Sequence, residues 1–230
     1  ALTGNIVIPD NVTTIGNYAF QNSAFKGTLH IGKAVQTIGE YAFSQCKGTG
    51  DIIIPDNVTS LGAYAFYQCT GFTGNLNIGN GVSVINKYTF SECSGLKGTL
   101  KLGDGITSIG VYAFDGCSSL TGNVDLPEAL TEIADYAFRN CIGFTGYLKI
   151  GPNVTSIGNW AFAMYENFSR YKLNFSKIYC MAVTHPNIKD ATFGDSIDWP
   201  EHLLVPIGCK EEYENVSYWR WFTIIEETGF

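Results

Sequence analysis

Apolar positions recur along this chain with a period of 23–24 residues, and each period carries the same internal pattern. It opens with an apolar-x-apolar triplet: Ile6-Val7-Ile8, Leu29-His30-Ile31, Ile52-Ile53-Ile54, Leu76-Asn77-Ile78, Leu100-Lys101-Leu102, Val124-Asp125-Leu126 and Leu148-Lys149-Ile150. Alternation of this kind predicts a short strand with its ends facing inward and its centre facing out. A glycine or proline follows each triplet, from Pro9 to Gly151, and stops the strand. A second apolar pair comes next, three residues apart, as in Val58/Leu61 or Ile106/Ile109. Most units then carry a glycine (Gly16, Gly39, Gly62, Gly110, Gly158), which suits positive φ or a close backbone approach. The unit closes on an aromatic signature: Tyr18-Ala19-Phe20 and its equivalents ending at Phe43, Phe66, Phe90, Phe114, Phe138 and Phe162.

The interval from the start of each triplet to its phenylalanine is constant at 14 residues; the return from phenylalanine to the next triplet is 9 or 10. Variation is therefore confined to the return turn, where insertions are tolerated. Strict register elsewhere is what stacked turns require, each burying its apolar face only against its neighbours. The predicted fold is a repeat solenoid of short parallel strands with few regular helices. Seven units cover residues 1–168, and residues 169–230 form a small α+β cap. Leu2-Thr3-Gly4-Asn5 repeats Leu120-Thr121-Gly122-Asn123, so the chain is expected to start inside a unit and continue upstream.

Three residues after the phenylalanine lies a cysteine column: Cys46, Cys69, Cys93, Cys117 and Cys141, with Ser23 and Tyr165 at its ends. Neighbouring turns stack about 4.8 Å apart with parallel side chains. Parallel vectors do not suit the disulfide torsion, and zinc needs ligands converging on one point. The column is expected to be small, buried core. Cys180 and Cys209 lie outside it and are read either as two buried thiols or as a staple in the cap.

After Phe168 the period is lost. Residues 171–183 read as strand-like, residues 208–221 as a helix with Tyr213, Val216, Trp219 and Phe222 on one face, and residues 223–226 as a final strand. Three of the four tryptophans, Trp199, Trp219 and Trp221, fall in this region, and Trp219 and Trp221 are expected in the cap core.

Charged residues are 15% of the 230, below the roughly 25% of an average domain, and the net charge is −7. No basic stripe exists, which argues against nucleic acid and anionic membranes, and no apolar run is long enough to span a bilayer. His30, His185 and His202 have no catalytic or metal-ligand spacing, and Asp56, Asp104, Asp115 and Asp125 form no calcium loop. No cofactor and no enzymatic activity are expected. The Asn-x-Ser/Thr triplets at Asn11, Asn57 and Asn153 share one repeat position and reflect turn chemistry.

The run Ile54-Pro55-Asp56-Asn57-Val58-Thr59-Ser60-Leu61-Gly62-Ala63-Tyr64-Ala65-Phe66-Tyr67-Gln68-Cys69 resembles the BspA-like leucine-rich repeat of bacterial surface proteins. The resemblance recurs seven times over roughly residues 1–168. Residues 178–186 and 204–213 also resemble that family's terminal cap, with His185-Pro186 where the family has two prolines. The resemblance implies an extracellular or surface-attached bacterial protein used for adhesion or recognition, without catalytic residues.

Inward positions are committed to packing, so recognition is expected on outward ones. Two columns face out from the strands: the triplet centres (Val7 to Lys149) and the residues just before each triplet (Asn5 to Tyr147). Lys101, Asp125 and Lys149 with Tyr147 form the most distinctive cluster and are the candidate ligand-binding residues. Their plainer reading is a solvated sheet with alternating cross-strand charges. The tyrosine column is the other candidate, read as rings packed on one another with hydroxyls at the surface. The expected partner is a protein, alternatively a glycan; a spacer with no ligand is the third reading, and a monomer is expected.

Overall fold

The computed structural model describes residues 4–166, 170–172, 175–189, 191–194, 202–222 and 224–229. Each unit contributes two short strands. β1 (Ile6–Ile8) and β2 (Thr14–Ile15) belong to the first turn, β3 (Leu29–Ile31) and β4 (Thr37–Ile38) to the second, β5 (Ile52–Ile54) and β6 (Ser60–Leu61) to the third. β7 (Leu76–Ile78) and β8 (Val84–Ile85), β9 (Leu100–Lys101) and β10 (Ser108–Ile109), β11 (Val124–Asp125) and β12 (Glu132–Ile133), and β13 (Tyr147–Ile150) and β14 (Ser156–Ile157) follow. Triplet strands pair in parallel and in register, Ile6 beside Leu29 and Ile52 beside Leu76, and the second strands do the same, Ile109 beside Ile133. The expected parallel solenoid is present, and its interior is one continuous apolar core from Ile6 to Phe222.

The phenylalanine column runs through that core. Rings from Phe20 to Phe162 stack on their neighbours with centroids 4.8 to 5.5 Å apart. The cysteine column lies beside it, buried and unpaired. Each thiol donates a hydrogen bond to a phenylalanine carbonyl of the preceding unit: Cys69 to Phe43 at 3.0 Å, Cys93 to Phe66 at 3.0 Å, Cys117 to Phe90 at 3.1 Å. Each of these carbonyls already accepts the amide three residues on, as Phe66 does from Cys69, so the thiol adds a second, weak donor to it in a space that suits a small buried side chain.

The signature has an unexpected backbone. Tyr18, Tyr41, Tyr64, Tyr88, Tyr112, Tyr136 and Trp160 all adopt left-handed φ between 54° and 62°. A second left-handed column follows four residues later, at Asn22, Gln45, Gln68, Glu92, Gly116 and Asn140. The hydrogen bonds show why. Tyr18, Phe20 and Asn22 donate their amides to Glu40, Ala42 and Ser44 of the next turn, while Ala19, Gln21 and Ser23 donate back within their own turn. Two reversals per unit let the chain alternate in this way and leave the amides paired. A left-handed residue with a side chain costs about 1 to 2 kcal/mol, so stacking and inter-turn bonds must offset it. The recurring glycine is not the left-handed residue; at Gly39, Gly62, Gly110 and Gly158 it permits close approach of the preceding turn instead.

The solenoid does not stop where its period does. β17 (Lys177–Cys180) pairs in parallel with β13, Leu148 beside Ile178, and extends the strand face by another turn. Asn187 bridges to Ser156, and Phe193 stacks on Phe162 at 5.7 Å. This eighth turn is hidden in the sequence because the return from Phe162 to Ile178 takes 16 residues rather than 10. The added length accommodates an antiparallel hairpin of β15 (Met164–Glu166) and β16 (Arg170–Lys172). β18 (His202–Pro206) and β19 (Ile224–Thr228) then join the same sheet in parallel, giving the order β11-β13-β17-β18-β19.

Between them lie α1 (Lys210–Glu214) and a 3₁₀ turn at Trp219–Trp221. The helix is five residues, not the stretch over 208–221 that the apolar spacing suggests. Tyr213, Val216, Trp219 and Phe222 are spaced strictly by three, which drifts off one face of an α-helix but suits a 3₁₀ turn. Tyr218, at φ 74°, breaks the run. Tyr213 and Trp219 are fully buried, and Trp219 and Phe222 contact Phe193, closing the end of the phenylalanine column. Trp221 is 36% exposed and is not part of that core: two residues from Trp219 on a three-residue turn, it points elsewhere. Cys180 and Cys209 are both free and buried; the Tyr213 hydroxyl donates to the Ala182 carbonyl at 2.7 Å, with the Cys180 sulfur 3.2 Å away. Phe168, Trp199, Thr223 and the Tyr165 side chain lie outside the described residues.

Candidate recognition surface

The triplet centres face solvent, as their period predicts. Val7, His30, Ile53, Lys101 and Asp125 are exposed; Asn77 and Lys149 are half-buried. Of the four residues singled out from the sequence, three come together. Asp125 and Lys149 are direct cross-strand neighbours on β11 and β13. The Tyr147 hydroxyl donates to Asp125 Oδ2 at 3.3 Å, and the Tyr147 amide donates to Asn123 Oδ1 at 3.0 Å. Desolvation at the sheet surface, then the neighbouring carboxylate, raises the Tyr147 hydroxyl above the ordinary tyrosine range. Lys101 stands apart, on β9, whose ladder runs to β7 and β5 rather than to β11.

The sequence reading missed two members of this surface. β17 places Lys177 beside Tyr147 and Tyr179 beside Lys149, and the Tyr147 and Tyr179 rings meet edge to face at 5.5 Å. The signal was present: Ile178-Tyr179-Cys180 is an eighth triplet, displaced from the period by the hairpin insertion.

The tyrosine column is a ladder on a different face. Rings from Tyr18 to Tyr136 stack at 4.6 to 5.2 Å, nearly parallel. Each inner ring spends both faces on its neighbours, so only edges and hydroxyls reach solvent. A sugar stacking on an aromatic needs a free ring face, so the inner rungs cannot offer that contact.

Beside the ladder, Arg139 makes a bidentate pair with Asp115, at 2.8 and 2.9 Å, and its guanidinium lies 5.0 Å from the Tyr112 ring and 5.1 Å from Tyr136. Asp115 is buried. Glu92, one turn earlier, has its carboxyl pushed up by desolvation and then by Asp115, against the opposing effect of Arg139. A carboxyl with a raised folded pKa binds its proton more tightly in the folded state, so it weakens the fold as pH rises above the unfolded value of 4.5. Glu92→Gln is therefore expected to be more stable than the parent at neutral pH, with the gap closing below about pH 4.5. Urea midpoints of both proteins across that range check this; a gap that grows on acidification would contradict it.

No group of three or more His, Cys, Asp or Glu among the described residues could hold a metal ion. No helix among them is long and apolar enough to cross a membrane. His185 lies 3.8 Å from Glu212, and His30 and His202 sit on separate strands. What the surface offers is hydrogen-bond donors, cations and aromatic edges on a rigid sheet, which is chemistry for binding.

Solved structures support the architecture. A leucine-rich repeat protein from Bacteroides ovatus aligns over 98% of this chain with a TM-score of 0.60 and 20% identity. The chain spans 61% of that protein's length. The pneumococcal vaccine antigen PcpA aligns over 99% of this chain and 68% of its own, with a TM-score of 0.51 and 16% identity. At such identities the likeness is one of fold. No curated protein matches the sequence. The profile of the BspA type leucine rich repeat region, however, matches in six copies over residues 2–100 and 98–199. The chain thus belongs to the BspA type leucine-rich repeat family.

Proposed function

We propose that this protein is a non-enzymatic recognition module, displayed on a bacterial surface or secreted, that binds protein ligands through its strand face. The observation that carries the reading is the cluster of Asp125, Tyr147 and Lys149 on an unbroken parallel sheet, with Lys101 flanking it. Its side chains are held from below by full burial of Leu148 and Ile150, so the outward groups are pre-organised and lose little freedom on binding. Repeat solenoids present ligands with just such an extended surface. Membership of a repeat family that includes surface proteins supports the location.

The test is a Lys101→Ala/Asp125→Ala/Tyr147→Ala variant, compared with the parent on a panel of immobilised host-matrix proteins and on a glycan array. Selective binding of the parent to a protein, weakened at least about tenfold in the variant, is expected. Binding confined to glycans, or protein binding that the variant retains in full, overturns the reading.

A further inference from the structure

We propose that the strand face receives an acidic, extended polypeptide segment over a lysine–tyrosine checkerboard completed by β17. This rests on the strand-face reading above and names its ligand class.

On β13 the outward residues are Tyr147 and Lys149; on β17 they are Lys177 and Tyr179. The register sets Tyr147 beside Lys177 and Lys149 beside Tyr179, so lysine and tyrosine alternate along and across the strands. Neighbouring strands are about 4.8 Å apart and alternate residues on one strand about 6.7 Å apart. The two ammonium groups therefore sit on one diagonal and the two rings on the other. The edge-to-face contact of Tyr147 with Tyr179, and the bond from Tyr147 to Asp125, fix the ring diagonal. Lys149 and Lys177 are half-buried.

Among the described residues, no carboxylate lies within ion-pair distance of Lys101, Lys149 or Lys177. Lys101, Lys149 and Lys177 thus share a face with Asp125, on a chain of net charge −7; the other acidic positions of that face stand off, Asp51 four turns before Tyr147 and Glu226 two strands beyond Tyr179 in the register. The reversal of sign is local. Asp104 and Glu128 lie in turns beyond the strand ends, so the cationic strip covers only the strand centres. Charges beyond about 8 Å are largely screened at physiological salt. A short acidic segment lying over the strip meets the lysines. A long polyanion, whether nucleic acid or an anionic bilayer, also meets the acidic remainder of the surface.

An extended segment matches the geometry as well as the charge. Its alternate side chains have the same roughly 6.7 Å repeat as the two outward columns. Running along β13 or β17, it would set an acidic residue over each lysine and an apolar or aromatic residue over each tyrosine. Tyrosines held rigidly at a sheet surface are typical binding anchors.

Calorimetry of the intact chain tests this with a peptide of repeat Glu-Ser-Val-Ser (Glu-Val), whose every second residue alternates acidic and apolar on one face, beside its Gln-Ser-Val-Ser (Gln-Val) and Lys-Ser-Val-Ser (Lys-Val) counterparts, a heparin fragment and phosphatidylserine vesicles. Binding of Glu-Val alone, weakening with salt, is expected. Lys149→Glu/Lys177→Glu should weaken it at least about tenfold, and Lys177→Gln by a smaller factor, with thermal unfolding unchanged in the milder variant. Equal binding of Glu-Val and Gln-Val, stronger binding of heparin or vesicles, or indifference to both lysine variants overturns the acidic-peptide assignment. If a protein ligand from the panel loses affinity with the triple alanine variant yet ignores the lysine reversals, the strand face stands and the acidic occupant falls.

Discussion

Phe90→Ala is expected to lower the unfolding free energy by about 3 to 5 kcal/mol. Phe90 is fully buried, stacked 5.5 Å from Phe66 on one side and 5.5 Å from Phe114 on the other. Its loss removes two ring contacts and leaves a void between turns that cannot close, because the strands on both sides hold the inter-turn spacing. The carbonyl of Phe90 also accepts the Cys117 thiol, and Cys93 donates to Phe66 next to it. A solenoid couples its units only to their neighbours, so the damage is expected to be greatest around the third to fifth turns. Urea denaturation measures the total, and labelling of Cys93 and Cys117 by a thiol reagent, against Cys180 in the eighth turn, locates it. A loss below about 1 kcal/mol, or uniform labelling of all cysteines, would contradict the picture of a stacked column with local coupling. Phe20 is only half-buried at the first turn, and Phe20→Ala should cost clearly less.

Gly62→Ala is expected to destabilise the solenoid, although its backbone is not left-handed. A Cβ on Gly62 would lie 2.5 Å from the Glu40 amide nitrogen and 2.5 Å from the Gly39 carbonyl carbon. Those atoms are backbone of the adjacent turn and cannot rotate away, so the turns must separate. Overpacking of this kind costs about 1 to 3 kcal/mol or more, and here it also lengthens inter-turn hydrogen bonds such as that from the Gly62 amide to Ile38. Thermal unfolding of the variant against the parent measures this, and an unchanged or raised midpoint would contradict a role for this glycine in admitting the preceding turn.

These positions show how far the repeat is a guide. The triplets, the phenylalanine column and the cysteine column could be read directly, because strict spacing is how a chain encodes stacking. The left-handed tyrosines could not. Tyrosine has no intrinsic preference for that region, and its selection there depends on hydrogen bonds and ring stacking supplied by other turns. The glycine beside them looked like the natural owner of a left-handed corner, yet its role is to admit a neighbour's backbone.

The candidate surface divides in the same way. Lys101, Asp125, Tyr147 and Lys149 stand out as outward residues of a periodic pattern. Lys177 and Tyr179 do not, since the hairpin insertion shifts them out of phase, and only pairing of β17 with β13 reveals them as the next rung. A different ladder holds Lys101, on β9 beside β7 rather than beside β11.

The amino-acid sequence by itself determined the repeat, the inward columns, the parallel stacking and the outward candidates, since each follows from local period and side-chain chemistry. The tertiary structure alone decided the eighth turn, the backbone of the aromatic signature, the role of each glycine and the membership of the strand-face cluster. The physical reason is shared by all four. Each is a relation between residues of different turns, set by inter-strand register and close contact, and no spacing within one unit contains it.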